Sequence, residues 1–182
     1  MLDFSKSYFE LFGLPTSFDL DQEALSERYR ELQRVVHPDR YANASEQERR
    51  LAVQGSSHIN EAYQVLREPL ARARYLLSLH GVQVEAGKET TSDSVFLMEQ
   101  MELREALAEA RGSDDPFAVV AAVMGRLREQ RQELILALSG QFADPNPEHL
   151  DATRENVRKM QFLEKLRVDA ESLEAELDDE MG

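Results

Sequence analysis

A proline at position 38 interrupts what would otherwise be one long amphipathic helix, and this break limits how the first half of the chain can fold. Proline lacks an amide hydrogen and disfavours a helical conformation in the residue before it. The helix that precedes Pro38 is therefore predicted to end near Val36. His37 and Asp39 then lie in an exposed turn between two helices.

Apolar residues recur at helical spacing on both sides of this turn. Before the turn, the stripe consists of Leu25, Tyr29, Leu32 and Val36, with Arg30 and Arg34 on the opposite side and Arg28 on the flank. After the turn, the segment from Ile59 to Leu66 carries a second stripe, and Ser45 with Glu48 forms a capping-box pattern at the start of that helix. A shorter helix is predicted over residues 3–14. The first part of the chain is thus predicted to be a helical hairpin with a short third helix.

Four further helices are predicted, over residues 69–81, 93–111, 116–140 and 147–179, with a polar connector at 83–94. Eight glycines, six prolines and many Ala, Leu, Glu, Gln and Arg residues favour a chain that is mostly helix. Short loops between long helices place neighbours antiparallel, so the last three helices are predicted to form a bundle. The fold class is predicted to be all-α.

Charge is distributed unequally along the chain. The net charge is −14; residues 1–75 carry 10 Lys and Arg against 12 Asp and Glu, whereas residues 76–182 carry 11 against 23. Nucleic acid is an improbable partner, because a phosphate backbone requires a basic surface. The absence of cysteine excludes disulfides and Cys-ligated metal, and the four histidines lack metal-ligand spacing. We expect no cofactor and no metal site.

Neither a signal peptide nor a membrane helix is indicated by the sequence. The first residues have no basic leader followed by an apolar run, and no segment reaches the 18 or so uncharged apolar residues of a membrane span. We expect a cytoplasmic protein with no membrane partner.

The helix at 93–111 has apolar residues on two sides. One side carries Phe96, Gln100, Leu103, Leu107 and Ala110, which suffice to dock the helix on the bundle. Leu97, Met98 and Met101 point largely the other way, beside Glu102 and Glu105. The bundle or the connecting helix could cover them. A groove-filling contact with another protein segment fits two methionines and a leucine edged by carboxylates better.

Residues 1–75 resemble a J-domain, the module through which co-chaperones stimulate the ATPase of DnaK-type chaperones. The resemblance rests on the His37, Pro38 and Asp39 turn and on the basic helix before it, with Arg30 at a matching position. It implies a chaperone-binding surface made of His37, Pro38, Asp39, Arg28, Arg30, Arg34 and Arg40. The arginines could also be an ordinary solvated face. Many J-domains have a second basic residue where this chain has Glu31, which indicates a specialised chaperone partner.

Across essentially its whole length the chain is similar to the bacterial HscB family of iron-sulfur cluster assembly. The matching segments lie at residues 8–15, 75–81, 96–105 and 162–167. The resemblance implies an L-shaped protein with a J-domain at 1–75, a connecting helix and linker at 76–94, and a three-helix bundle at 95–182. It further implies an HscA-type chaperone partner and an IscU-type scaffold partner. The implied scaffold contacts are Leu97, Met98, Met101, Glu102, Glu105 and Phe162.

Two other interpretations remain open at this point. One is a J-domain co-chaperone of a DnaK-type chaperone that serves a different client. The other is a small acidic enzyme using His37 and Asp39 as a general-base pair, but no serine or cysteine nucleophile and no oxyanion-type loop accompanies them. We therefore expect a protein that is not an enzyme.

Overall fold

The computed structural model describes residues 5–37, 41, 44–84 and 91–181, and within these ranges the regular structure is entirely helical. The helices are α1 (Tyr8–Phe12), α2 (Gln22–Val36), α3 (Glu46–Arg67), α4 (Pro69–Leu79), α5 (Ser94–Glu109), α6 (Pro116–Ala143) and α7 (Pro147–Met181). A 3₁₀ turn, Ala110–Gly112, follows α5. The all-α prediction is confirmed. The chain divides into two compact units, Met1–His80 and Gly81–Gly182.

In the first unit, α2 and α3 form an antiparallel hairpin. Leu25 on α2 and Ile59 on α3 are completely buried, as the two apolar stripes predicted. Asp21 caps α2 by accepting hydrogen bonds from the backbone amides of Glu23 and Ala24 at 2.9 and 3.0 Å. The predicted capping box of Ser45 and Glu48 is present at the start of α3, which ends just before Pro69. These local signals set the helix ends independently of the core.

Helix α1 is shorter than the predicted helix over residues 3–14, of which residues 3 and 4 lie outside the described residues. Ser7 accepts a hydrogen bond from the Glu10 amide, and the Glu10 carboxylate accepts one from the Ser7 amide, so the helix begins at Tyr8. Gly13 ends it in the left-handed conformation, with φ of 65°. The ring of Tyr8 stacks on Tyr75 of α4 at 4.5 Å, which ties α1 to α4.

Helix α4 starts at Pro69, as predicted, and carries a buried arginine. The Arg72 guanidinium donates to the carbonyl oxygens of Leu66 and Arg67 at the end of α3. It also lies 5.0 Å from the centre of the Phe18 ring. Burial lowers the pKa of Arg72, and the nearby carboxylates of Asp19 and Glu68 oppose that shift. Arg72 therefore joins α4 to α3 through carbonyls that the end of a helix leaves without partners.

The second unit is a bundle of α5, α6 and α7. Gln141 of α6 accepts hydrogen bonds from Thr153 and Asn156 of α7, near the turn that makes these helices antiparallel. Asp115 caps α6 by accepting from the Ala118 amide at 3.0 Å, with Pro116 in the first turn as predicted. One apolar core joins the three helices; its buried members are Phe96, Leu107, Ala110, Val120, Val123, Leu127, Leu163, Leu166, Ala170 and Leu177.

The division between the two units falls after His80, so the whole of α4 belongs to the first unit. The domain limits at 75 and 94 stay predictions, and residues 85–90 of the polar connector lie outside the described residues. None of the described helices is both long enough and apolar enough to cross a membrane.

Candidate functional site

Contacts with α3 fix the rotation of α2. The Tyr29 ring stacks on Tyr63 with ring centres 4.2 Å apart, and the Tyr29 hydroxyl donates to Asn60 Oδ1 at 2.9 Å. The Gln33 amide nitrogen donates to the same oxygen at 2.5 Å. Tyr29 and Gln33 face α3, whereas Arg30 and Glu31 between them are exposed to solvent.

Three arginines of α2 are exposed, as the sequence predicts. Arg28, Arg30 and Arg34 lie along the outer side of the helix. Glu31, the acidic residue that departs from many J-domains, forms an ion pair with Arg28, with Nη1 and Oε2 2.9 Å apart. Glu31 therefore neutralises part of the charge of Arg28.

His37 follows the last residue of α2 and is exposed, while Val36 just before it is buried. The chain thus passes from core to surface within one residue. Tyr41 lies beyond the turn, and its hydroxyl donates to the Val35 carbonyl oxygen at 3.3 Å. Pro38, Asp39 and Arg40, the other predicted residues of this surface, lie outside the described residues.

In the second unit, α5 presents an apolar ridge to solvent. Val95, Met98 and Met101 are 67%, 63% and 62% exposed, although they belong to a helix whose opposite side is part of the core. Their spacing of three residues places them along one face. Glu102 and Glu105 are exposed on the same helix. We call Val95, Met98, Met101, Glu102 and Glu105 the α5 ridge.

The two remaining predicted scaffold residues are half-buried. Leu97 is half-buried on the flank of α5, and Phe162 is half-buried on α7. The Phe162 ring meets the buried Phe96 ring edge-on, with centres 6.3 Å apart and planes at 83°. The structure therefore places Met98, Met101, Glu102 and Glu105 on the exposed side of α5, Leu97 on its flank and Phe162 next to its inner side.

Sequence reasoning missed Val95 and a set of polar contacts that dock α5 on α6. Val95 lies three residues before Met98, so the same spacing could have identified it. Gln100 is 7% exposed, and its amide nitrogen donates to Gln130 Oε1 at 2.9 Å. Gln130 in turn donates to Glu99 Oε2 at 2.8 Å. In the sequence, the only sign of these hydrogen bonds between α5 and α6 was a glutamine, Gln100, within an apolar stripe.

A second set of polar contacts holds the start of α5 to α7. Asp93 caps α5 and also accepts from Lys159 Nζ at 2.7 Å. The hydrogen bond from Lys159 and those from the amides at the start of α5 keep the pKa of Asp93 below its ordinary value. Thr91 donates to Glu155, which lies one helical turn before Lys159. No pattern in the sequence pointed to these pairs, because 64 or 66 positions separate the partners.

The chemistry of both surfaces suits protein recognition. Among the described residues, no group of three or more His, Asp or Glu side chains could hold a metal ion. The α2 surface offers guanidinium groups and an imidazole, and the α5 ridge offers flexible apolar side chains edged by carboxylates. Such groups bind acidic and apolar protein surfaces, respectively.

Comparisons with known proteins agree with this division. The DnaJ domain family matches residues 7–75, and the family described as the HSCB C-terminal oligomerisation domain matches residues 92–171. The co-chaperone protein HscB homolog of Shewanella loihica is 44% identical over 168 residues, which cover 92% of this chain and 97% of that protein.

Solved structures give the same result. The chaperone HscB from Vibrio cholerae matches with a TM-score of 0.83 and 42% identity, over 94% of this chain and 99% of that one. Human co-chaperone protein HscB matches with a TM-score of 0.84 and 31% identity, over 93% and 82% of the respective chains. With both units matched and identity above 40% over nearly the full length, the chain belongs to the HscB family of J-domain co-chaperones.

Proposed function

We propose that this protein stimulates the ATPase of an HscA-type chaperone through its J-domain and delivers an IscU-type scaffold protein bound to its C-terminal bundle. The scaffold carries the iron-sulfur cluster, and its transfer to the chaperone assists cluster release. The observation that supports this proposal most strongly is the exposure of Met98 and Met101 on a helix whose opposite side already docks on the bundle.

The chaperone-binding surface consists of His37, Pro38, Asp39 and Arg40 at the turn and of Arg28, Arg30 and Arg34 on α2. Two features of the described residues support it. The outward position of the arginines follows from the stacking of Tyr29 on Tyr63, and His37 is exposed directly after a buried valine. Cations on a rigid helix can steer a partner with an acidic surface and fix its orientation.

The scaffold-binding surface consists of Leu97, Met98, Met101, Glu102, Glu105 and Phe162. Methionine side chains adapt to irregular apolar surfaces, and burial of a methionine on binding contributes about 1.5–3 kcal/mol. Glu102 and Glu105 are exposed beside them and can pair with basic groups of the scaffold. An exposed pair of this kind contributes more to partner choice and association rate than to affinity.

Each surface lies within a different compact unit, which supports an adaptor mechanism. The scaffold bound to α5 is held on the same chain as the J-domain, so the second binding event becomes intramolecular when the chaperone engages. ATP hydrolysis then traps the scaffold on the chaperone. If the chain instead serves a different client of a DnaK-type chaperone, the J-domain half of this mechanism is retained and the scaffold half is lost.

Replacing His37 tests the assignment of the turn. We expect His37→Gln to abolish stimulation of the HscA-type ATPase in a single-turnover assay, while calorimetric affinity for the IscU-type scaffold stays unchanged. His80→Gln is the matched control, because His80 is an exposed histidine of the same unit at the end of α4. That control is expected to behave as the wild type.

Undiminished stimulation by His37→Gln would contradict the proposed chaperone surface. Stimulation lost together with scaffold affinity would contradict the separation of the two surfaces. A chain that stimulates the ATPase normally but binds unfolded polypeptides rather than the scaffold would support the alternative client.

A further inference from the structure

The start of α5 is attached to α7 through a partly buried lysine. The Lys159 side chain is 18% exposed, and its Nζ lies 2.7 Å from Asp93 Oδ2. The other carboxylate oxygen of Asp93 accepts the Phe96 amide at 3.0 Å and caps the helix. A mostly enclosed ammonium group must be paired to be tolerated, and Asp93 supplies that partner.

The same ammonium group also contacts an aromatic ring. Lys159 Nζ lies 5.6 Å from the centre of the Phe96 ring, within the range of a cation-π interaction. Phe96 is buried and meets Phe162 edge-on. Lys159, Phe96 and Phe162 are therefore in successive contact, and the series ends at a residue of the proposed scaffold surface.

We propose that Lys159 is a positioning residue for scaffold recognition. It holds Phe96 from one side, and Phe96 in turn sets the orientation of the Phe162 ring, which belongs to the proposed scaffold surface. Lys159 acts through these rings and through Asp93 rather than by touching the partner. This inference rests on the proposed function, since it assigns a role to the orientation of Phe162 in binding the scaffold.

A purely structural role for Lys159 explains these contacts less well. The cap of α5 does not need Lys159, because Asp93 uses its other oxygen to accept the Phe96 amide. An apolar side chain of similar length would fill the same space, but it would leave the Asp93 carboxylate without its ammonium partner. What the ammonium adds is a directional contact with both Asp93 and the Phe96 ring.

Three variants separate the positioning role from a general loss of structure. Lys159→Met keeps an unbranched side chain and removes the charge, whereas Lys159→Arg keeps the ion pair and the contact with the ring. Lys165→Met removes an exposed lysine from the same helix and is the control. We expect Lys159→Met to unfold at a somewhat lower temperature because Asp93 loses its partner, and to weaken scaffold binding about tenfold in calorimetry well below that transition. The other two variants are expected to bind within about twofold of the wild type.

A second readout needs no partner. In the free full-length protein with labelled phenylalanine, the Phe162 ring signals are expected to move in Lys159→Met, because the ring current of Phe96 then acts from a different angle. They are expected to return toward the wild-type positions in Lys159→Arg and to stay in place in Lys165→Met. Unmoved Phe162 signals in Lys159→Met would overturn the positioning role, whatever the affinity.

The two readouts fail in different ways. If the wild type does not bind the scaffold, the proposed function fails, and the Phe162 signals still decide whether Lys159 orients the ring. If the signals move and the affinity does not, Phe162 orientation has no part in recognition and the inference is wrong. Should Lys159→Met fold poorly, Asp93→Asn keeps a capping oxygen and weakens the ion pair, and it is expected to move the same signals.

Discussion

The two units of this protein expose opposite kinds of chemistry. In the first unit, whose residues 1–75 are close to neutral, the proposed surface on α2 is made of arginines and a histidine. In the second, whose residues 81–182 carry 11 basic against 23 acidic residues, the proposed surface is centred on the exposed side chains of Met98 and Met101. Each proposed surface therefore differs in charge or polarity from the rest of its own unit.

The helices that carry these surfaces are also held differently. Tyr29 and Gln33 orient α2 through ring stacking and a hydrogen bond with α3, and α2 also packs against α1. Helix α5 contacts both α6 and α7, through Gln100 on one side and Asp93 on the other. These hydrogen bonds hold α5 in the orientation that its apolar stripe favours.

The largest predicted effect comes from the cores. Leu138 in the second unit and Ile59 in the first are completely buried, so Leu138→Ala and Ile59→Ala are each expected to lower stability by about 2–5 kcal/mol. Hydrogen exchange is expected to show each loss mainly in the unit that carries the variant. Leu136→Ala is the control, because Leu136 is exposed on the same helix as Leu138. Equal loss of protection in both units would show that they unfold together and would contradict this prediction.

The next largest effect concerns the α5 ridge. Met98→Ala combined with Met101→Ala is expected to weaken scaffold binding by about 2 kcal/mol or more, which is roughly 30-fold. The unfolding transition is expected to stay unchanged because both side chains are exposed. Val168→Ala removes an exposed apolar side chain from α7 and is expected to leave binding intact. Unchanged affinity in the double variant would place the scaffold site elsewhere.

Lowering the pH is expected to reduce the stability of the second unit more than that of the first. Hydrogen bonds from Lys159 to Asp93 and from Arg167 to Glu164 keep both carboxyl pKa values below their ordinary range. A lowered folded-state pKa gives stability that is present above the unfolded pKa, about 4, and is lost as pH falls through the folded value. Hydrogen exchange at pH 7 and pH 3 would measure the loss of protection in each unit. Asp93→Asn is expected to reduce the extra loss at pH 3 in the second unit.

In the first unit, Glu48 has a lowered pKa because Ser45 donates hydrogen bonds to its carboxylate. Glu48 is fully exposed, so its contribution is expected to be small. A loss of protection at low pH that is greater in the first unit than in the second would refute this prediction.

The smallest effect is predicted for two exposed ion pairs, one chosen from each unit. Arg28 pairs with Glu31 at 2.9 Å and Arg126 with Glu129 at 3.3 Å, both three residues apart. Glu31→Gln and Glu129→Gln are each expected to change the free energy of unfolding by about 0.5 kcal/mol or less. Chemical denaturation measures both. A much larger effect of Glu31→Gln alone would show that Glu31 has a structural role beyond this pair.

Much of the fold could be predicted because its signals are local. The starts of α2, α3 and α6 follow from Asp21, Ser45 and Asp115. Each of these side chains accepts a hydrogen bond from a backbone amide no more than three residues later. Helix α1 was predicted too long because apolar content suggested a longer helix than the Ser7 cap allows. Apolar spacing likewise predicted which side of α5 faces the core, but it did not identify Val95 as part of the ridge.

The contacts that orient the candidate sites could not be predicted in the same way. Gln100 and Gln130, or Asp93 and Lys159, are far apart in sequence, and glutamine and lysine are ordinary surface residues. Only the packing of three helices brings them together and excludes water around them. The sequence could therefore predict the residues of the two proposed surfaces, but not the residues that hold them in position.

Calorimetric titration of an IscU-type scaffold into the full-length wild type and into His37→Gln tests the separation of the two surfaces most directly. The predicted result is binding to both proteins with the same affinity, although only the wild type stimulates the chaperone ATPase. Absence of binding to the wild type, or affinity lost in His37→Gln, would contradict that separation.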